Sequence, residues 1–252
     1  MTIKSEIFKS IIAILISLFV GLIFCEIFLR IKHKYVIDYD IEMWKYAKQL
    51  KTQVDNKKIN HIHVKNKSAV LQGVEIKINN FGQRNTDIDN EYLNKFERRF
   101  LILGSSIALG WGVEENQVFS NRLNKLSKKN NLNWIFVNGG VGNYNTERYV
   151  NNFFENWKEL EFTDIIINYF VNDSEILLAK KTNILIQHSH LAVVLWKYFN
   201  SLNEKYTNNN LYNYYESLYK DEFPGFIIAK ENIVRLNNFC KENSINCYLF
   251  NM

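Results

Sequence analysis

A serine becomes an acyl-group nucleophile when its hydroxyl is held in the open, a base takes its proton, and fixed donors wait for the charge that develops on the attacked oxygen. Ser106 meets the first of these demands. It lies in Phe100 to Val113, where a short apolar run, Phe100 to Leu103, stops at Gly104 and gives way to a helix-like stretch. That pattern reads as strand, tight turn and helix, and a serine in such a turn projects its hydroxyl above a sheet edge beside free backbone N–H groups. Two further segments repeat the pattern. Trp134 to Thr146 is a strand that runs into the glycine-rich Asn138-Gly139-Gly140-Val141-Gly142-Asn143, and Asp164 to Asp173 is a strand that ends in Asn172-Asp173.

Three apolar strands with helix-like stretches between them predict a parallel α/β sheet, whose sites gather at the carboxyl ends of the strands. The helices between them are expected at about 117–129 and 146–160, the second capped by Thr146. A last helix is expected over 225–242, with Pro224 just ahead of it, and a late core strand at Asn246 to Met252.

The blocks Gly104-Ser105-Ser106, Asn138 to Thr146 and Val171-Asn172-Asp173, in that order, resemble those of the SGNH (GDSL-type) hydrolases. So do the Gly110-Trp111-Gly112 that follows the serine and the upstream Asn79, Gly82 and Arg84, spaced as Asn-x-x-Gly-x-Arg. The resemblance covers about residues 75 to 252. It implies a flavodoxin-like parallel sheet carrying serine esterase or acyltransferase chemistry without a cofactor. Carried over, Ser106 is the nucleophile, and the oxyanion hole consists of the Ser106 N–H, the Asn143 N–H and the Asn172 side chain. The substrate is an ester-linked acyl group, such as an O-acetyl group of a surface glycan.

The chain departs from the family pattern at three places. Ser105 stands where the family has aspartate. Asn143 stands at the oxyanion glycine, and asparagine tolerates the left-handed backbone that glycine favours. The Asp-x-x-His block that supplies the family's base occurs nowhere in the sequence. The general base is therefore unassigned, and two readings stand side by side. One is an active enzyme whose base block belongs to a longer parent chain. The other is an inactive or truncated SGNH-like protein that binds a glycan or a partner.

The chain of 252 residues, 47% apolar with net charge +5, has room for one membrane segment and one α/β domain. Ile11 to Leu29 is apolar except for Glu26, long enough to cross a bilayer, and bracketed by Lys4 and Lys9 before it and Arg30, Lys32 and Lys34 after it. An uncleaved anchor is favoured over a signal peptide, because no small-x-small site follows the run. Basic residues at both ends leave orientation undecided, and the resemblance places the domain outside the cytoplasm. Expected organisation is tail and transmembrane anchor over 1–31, a juxtamembrane connector with a hairpin over 32–95, and the SGNH-like domain, C-terminally incomplete, over 96–252. No basic stripe interleaves with aromatics, so no nucleic-acid partner is expected.

Five histidines exist: His33, His61, His63, His188 and His190. His61 and His63 alternate on an expected strand without a third ligand cluster, so no metal site is expected. His188 or His190 could replace the missing base, although capping or packing is the simpler role. Cys240 and Cys247 are expected as free, buried thiols. The stretch 174–222 reads as an insertion with tyrosines at 206, 212, 214, 215 and 219; helices covering the core are favoured over a sugar-stacking lid.

Overall fold

The computed structural model describes residues 3–178, 184–205 and 211–251. Tyr206 therefore lies outside the described residues. The chain divides into two compact units, one from residues 1–45 and 181–208, the other from 46–180 and 209–252.

In the first unit, α1 (Ile3–Tyr35) carries the apolar run, and its residues 6–35 form the one helix among the described residues long and apolar enough to cross a membrane. Helix α2 (Tyr39–Gln49) begins in this unit and ends in the second. Two helices from later in the chain, α7 (Ile184–His188) and α8 (His190–Lys205), complete it.

The second unit opens with two antiparallel strand pairs where one hairpin was expected. β1 (Lys51–Gln53) pairs with β2 (His61–His63), and β3 (Lys67–Leu71) with β4 (Val74–Ile78). The β3–β4 turn is made by Gln72 and Gly73, both at positive φ, as a tight two-residue hairpin requires. After α3 (Asn90–Leu93) come β5 (Arg98–Gly104), α4 (Ser106–Leu109), α5 (Phe119–Lys129), β6 (Trp134–Gly140), α6 (Thr146–Asn156) and β7 (Asp164–Tyr169). The unit closes with α9 (Leu211–Ser217), α10 (Pro224–Glu242) and β8 (Asn246–Asn251).

Strands β5 to β8 form a parallel four-stranded sheet in the order β6-β5-β7-β8. Strand alternation sends Leu101, Leu103, Ile135, Val137, Ile165 and Ile167 to one face, against Tyr149 and Phe153 of α6, Trp157 just after it and Leu236 of α10. Phe100, Ile102 and Phe136 turn to the other face, with Ala108 of α4 and Leu123 of α5. The apolar runs are thus buried on both sides, as a parallel sheet requires.

Four expectations need correction. Asn145, not Thr146, caps α6: its side chain accepts the Arg148 N–H, while the Thr146 Oγ1 accepts the Tyr149 hydroxyl. The helix ends at Asn156, with Trp157 turning into the core. Strand β8 is an edge strand among the described residues, with Leu249 and Phe250 exposed, because it hydrogen-bonds to β7 alone. Cys240 and Cys247 form a disulfide, since the turn after α10 brings β8 back beside the helix end and sets their Cα atoms 6.2 Å apart. The tyrosines of the insertion divide. Tyr219 packs on the core and donates to the Val171 carbonyl, whereas Tyr212 is exposed.

Candidate active site

The sheet register brings the three sequence blocks together. Gly104 at the end of β5 is level with Gly140 of β6 and with Asn168 of β7. Ser106, Asn143 and Asn172 therefore follow three adjacent carboxyl ends. Strand order also reverses direction at β5, whose neighbours β6 and β7 both come later in the chain. Crevices in open α/β sheets form at such points.

Ser106 begins the one-turn helix α4 and is partly exposed. Why α4 lies where it does is a matter of missing atoms. A Cβ on Gly140 would come within 2.2 Å of the Leu109 nitrogen, so only glycine lets α4 rest on the end of β6. Beneath it the Asn138 side chain accepts the Gly140 N–H at 2.9 Å and reaches the Leu109 carbonyl at 3.4 Å.

The segment after α4 is held by Arg84. This guanidinium is buried, and it donates to the carbonyls of Leu109 (3.1 Å), Gly110 (2.7 Å), Val113 (2.8 Å) and Glu75 (3.2 Å), and to the Glu115 carboxylate (3.0 Å). The Asn79 side chain shapes the preceding turn by accepting the N–H groups of Phe81 and Gln83. The Asn79–Gly82–Arg84 spacing thus acts as a staple on the segment that follows Ser106. Sequence alone marked the motif but not its target.

The glycine loop is held from its other side by residues that the sequence offered as histidines without a task. The Gly142 carbonyl accepts from His61 Nε2 at 3.1 Å and from Lys51 Nζ at 3.2 Å. The Gly142 N–H donates to the Tyr46 hydroxyl at 2.9 Å; that hydroxyl donates to His63 Nε2 at 2.6 Å, and His63 Nδ1–H donates to the Gly82 carbonyl at 2.9 Å. A Cβ on Gly142 would stand 2.6 Å from the Tyr46 ring. Both imidazoles are neutral and have opposite tautomers. Burial, with the Lys51 charge adding to it, lowers His61 to about 2 and His63 to about 4. Burial and the Arg148 charge lower the Lys51 ammonium to about 7.

That clamp fixes a direction. In a planar trans peptide the C=O and N–H point opposite ways, and no cis bond is present among the described residues. With the Gly142 carbonyl turned toward His61 and Lys51, the Asn143 N–H of the same peptide points away from them. Among the described residues it donates to no protein acceptor. Asn143 itself is at φ +64°, the left-handed backbone expected of it, and its carbonyl accepts from Arg148 at 2.9 Å.

The third loop is less fully satisfied. Asn172 Oδ1 is buried without a hydrogen-bond partner, and so is Asp173 Oδ1. The other Asp173 oxygen accepts the Phe170 N–H at 3.2 Å. Burial raises the Asp173 carboxyl to about 7, with the Glu175 charge adding to the shift. Asp173 is a titrating group at the sheet edge that the sequence placed in a motif without assigning it a role.

No histidine of this unit is available to serve as base, since His61 and His63 are committed to the glycine loop. His33, His188 and His190 belong to the other unit, where His33 Nε2 bonds the Glu42 carboxylate at 2.7 Å. No group of three or more metal-ligating side chains occurs among the described residues.

No protein-family model matches the chain, and no curated protein matches it. Among solved structures it is similar to the psychrotrophic esterase EstA of Pseudoalteromonas sp., at 10% identity and a TM-score of 0.31, over 61% of this chain and 78% of that one. It is also similar to a proposed acylhydrolase of Bacteroides fragilis, at 19% identity and a TM-score of 0.26, over 64% of this chain and 72% of that one. Likenesses at these scores define neither the activity nor the ligand of this chain.

Proposed function

We propose that this chain is a membrane-anchored, SGNH-like serine esterase or acyltransferase whose flavodoxin-like α/β domain faces away from the cytoplasm. Ester-linked acyl groups, such as O-acetyl groups of a surface glycan, are its substrate class. One observation carries the reading: Ser106, Asn143 and Asn172 follow three adjacent strand ends, with the Asn143 peptide turned by its clamp so that its N–H is free. In this reading Ser106 Oγ bonds to the acyl carbon while its proton passes to a base. The carbonyl oxygen takes the negative charge among the Ser106 N–H, the Asn143 N–H and the Asn172 amide. Collapse of that intermediate releases the alcohol, and water or an acceptor hydroxyl then takes the acyl group from Ser106. Fixed donors of this kind lower the barrier by several kcal/mol, on the order of 10²–10³ in rate for each. The disulfide between Cys240 and Cys247 fits an oxidising compartment.

A second reading has its own support. Both histidines of the α/β unit are consumed in holding the glycine loop, which favours a protein that binds an acyl ester or glycan without turning it over. Hydrolysis of p-nitrophenyl acetate by the full chain in detergent, compared with Ser106→Ala, separates the two. A rate above background that the variant abolishes supports the enzyme; equal rates at background support binding alone.

A further inference from the structure

Glu26 is the one carboxylate within the apolar run Ile11 to Leu29, one turn before its end. Such a residue is costly in hydrocarbon unless partnered, and its partners come from the far segment of the same unit. Its Oε1 accepts from Arg30 Nε at 2.7 Å and from the His190 N–H at 3.1 Å. Its Oε2 accepts from Ser189 Oγ at 2.8 Å and from the Leu191 N–H at 2.9 Å. Arg30 in turn donates to the His188 carbonyl at 2.7 Å, at the end of α7. Ser189 Oγ accepts the Ala192 N–H, and the His190 ring meets His33 edge-on at 5.2 Å. The junction of α7 and α8 is therefore stitched to the last turn of the apolar span, at the level where α1 leaves it.

These two helices expose several large apolar side chains. On α7, Ile184 is 74% and Leu185 67% exposed; on α8, Leu195, Tyr198 and Phe199 are exposed. Positions 191, 195, 198 and 199 fall on one helical face, at i, i+4, i+7 and i+8. Trp196, beside that face, meets Trp44 edge-on at 5.8 Å, and Lys197 pairs with Asp40 at 2.6 Å. An apolar stripe with tyrosine and tryptophan, tied through Glu26 to a spanning helix, has the chemistry of the headgroup–acyl boundary.

We propose that residues 184–199 form a second membrane contact, with α7 and the apolar face of α8 lying in the bilayer interface beside the point where α1 emerges, and with Glu26 as the intramembrane cap that sets their depth. The inference rests on α1 being an anchor, and its test separates the two claims. The full chain carrying Cys25→Ser is reconstituted in phosphatidylcholine–phosphatidylglycerol vesicles, with a nitroxide at Leu195→Cys, Phe199→Cys, Phe24→Cys or Lys220→Cys in turn. Collisions with oxygen and with a water-soluble nickel chelate are measured at each site. The expected result is preference for oxygen at 24, 195 and 199 and for nickel at 220. Adding Glu26→Leu is expected to shift 195 and 199 toward nickel while leaving 24 unchanged. If 24 prefers oxygen while 195 and 199 behave like 220, the interfacial contact is overturned and the anchor stands. If 195 and 199 are shielded from both reagents, protein covers them and the proposal is likewise overturned. Nickel access at 24 would overturn the anchor, and the inference with it.

Discussion

The loops after β6 and β7 flank the same strand and end at the same level, yet their polar groups are treated in opposite ways. After β6, the Gly142 carbonyl has two donors, the Gly142 N–H has the Tyr46 hydroxyl, and the Asn143 carbonyl has a guanidinium. After β7, Asn172 and Asp173 each keep a buried oxygen without a partner. An unpaired buried polar group costs about 1–3 kcal/mol. The first loop has its backbone groups held by side chains of the same unit; the second keeps acceptor oxygens that no side chain completes.

The largest effect that would test this contrast is at Arg84, which braces the held side. Arg84→Met leaves several carbonyls, two of them accepting buried bonds, without their shared donor. We expect a loss on the order of 3–5 kcal/mol, as for breaking a buried charge network. It would be read from urea unfolding followed by tryptophan fluorescence in micelles. Arg84→Lys recovers part of it, because a single ammonium cannot reproduce the fork. A loss under about 1 kcal/mol, the scale of a single hydrogen bond, would show that the staple does not hold α4.

Next come two variants that should differ in kind. Asn172→Ala is expected to leave the unfolding midpoint unchanged while lowering Ser106-dependent ester hydrolysis on the order of 10²–10³-fold. Tyr46→Phe is expected to cost about 1–3 kcal/mol of stability, since it strips the Gly142 N–H and His63 of their partner. Equal destabilisation by the two would erase the distinction between the loops.

A smaller effect distinguishes the loops by pH. His61 and His63 titrate near 2 and 4 in the folded chain and near 6.5 when unfolded. Between about pH 4 and 6.5 the unfolded state binds the extra protons, so stability rises with pH and is lost on acidification. Asp173 opposes this: its carboxyl moves from 3.8 to about 7 on folding, so it favours the folded state below 7 and loses that contribution as pH rises. Each group contributes a slope of up to about 1.4 kcal/mol per pH unit. Asp173→Asn should steepen the acid loss, and replacing both histidines with glutamine should flatten it; the reverse pattern would invert the assignment.

A single-residue test of the same kind concerns Lys51. Its folded value of about 7 against 10.5 unfolded makes stability rise with pH across that window. Lys51→Met should remove the rise, and an unchanged slope would place the ammonium in solvent instead of on the Gly142 carbonyl.

Much of this was legible in residue order. The apolar runs of β5, β6 and β7, the glycines after them and the uninterrupted Ile11–Leu29 announce their elements through local periodicity, which needs no distant partner. The cap of α6 was misread by one residue because asparagine and threonine are both good caps and only the Arg148 N–H decides between them. Cys240 and Cys247 were misread because a turn of chain direction, not their spacing, brings them together.

Sequence by itself determined that strands alternate with helices, that small and polar residues follow each strand, and that one segment has the length and apolarity of a membrane span. These follow from backbone propensity and the hydrophobic pattern. Tertiary structure alone decided that Arg84 reaches Leu109 and Gly110, and that His61, His63, Lys51 and Tyr46 hold Gly142. It also decided that Glu26 caps a helix more than 160 residues away. The physical reason is common to all three. A buried donor or acceptor must be satisfied, but nothing in a chain's local order says which distant group will do it.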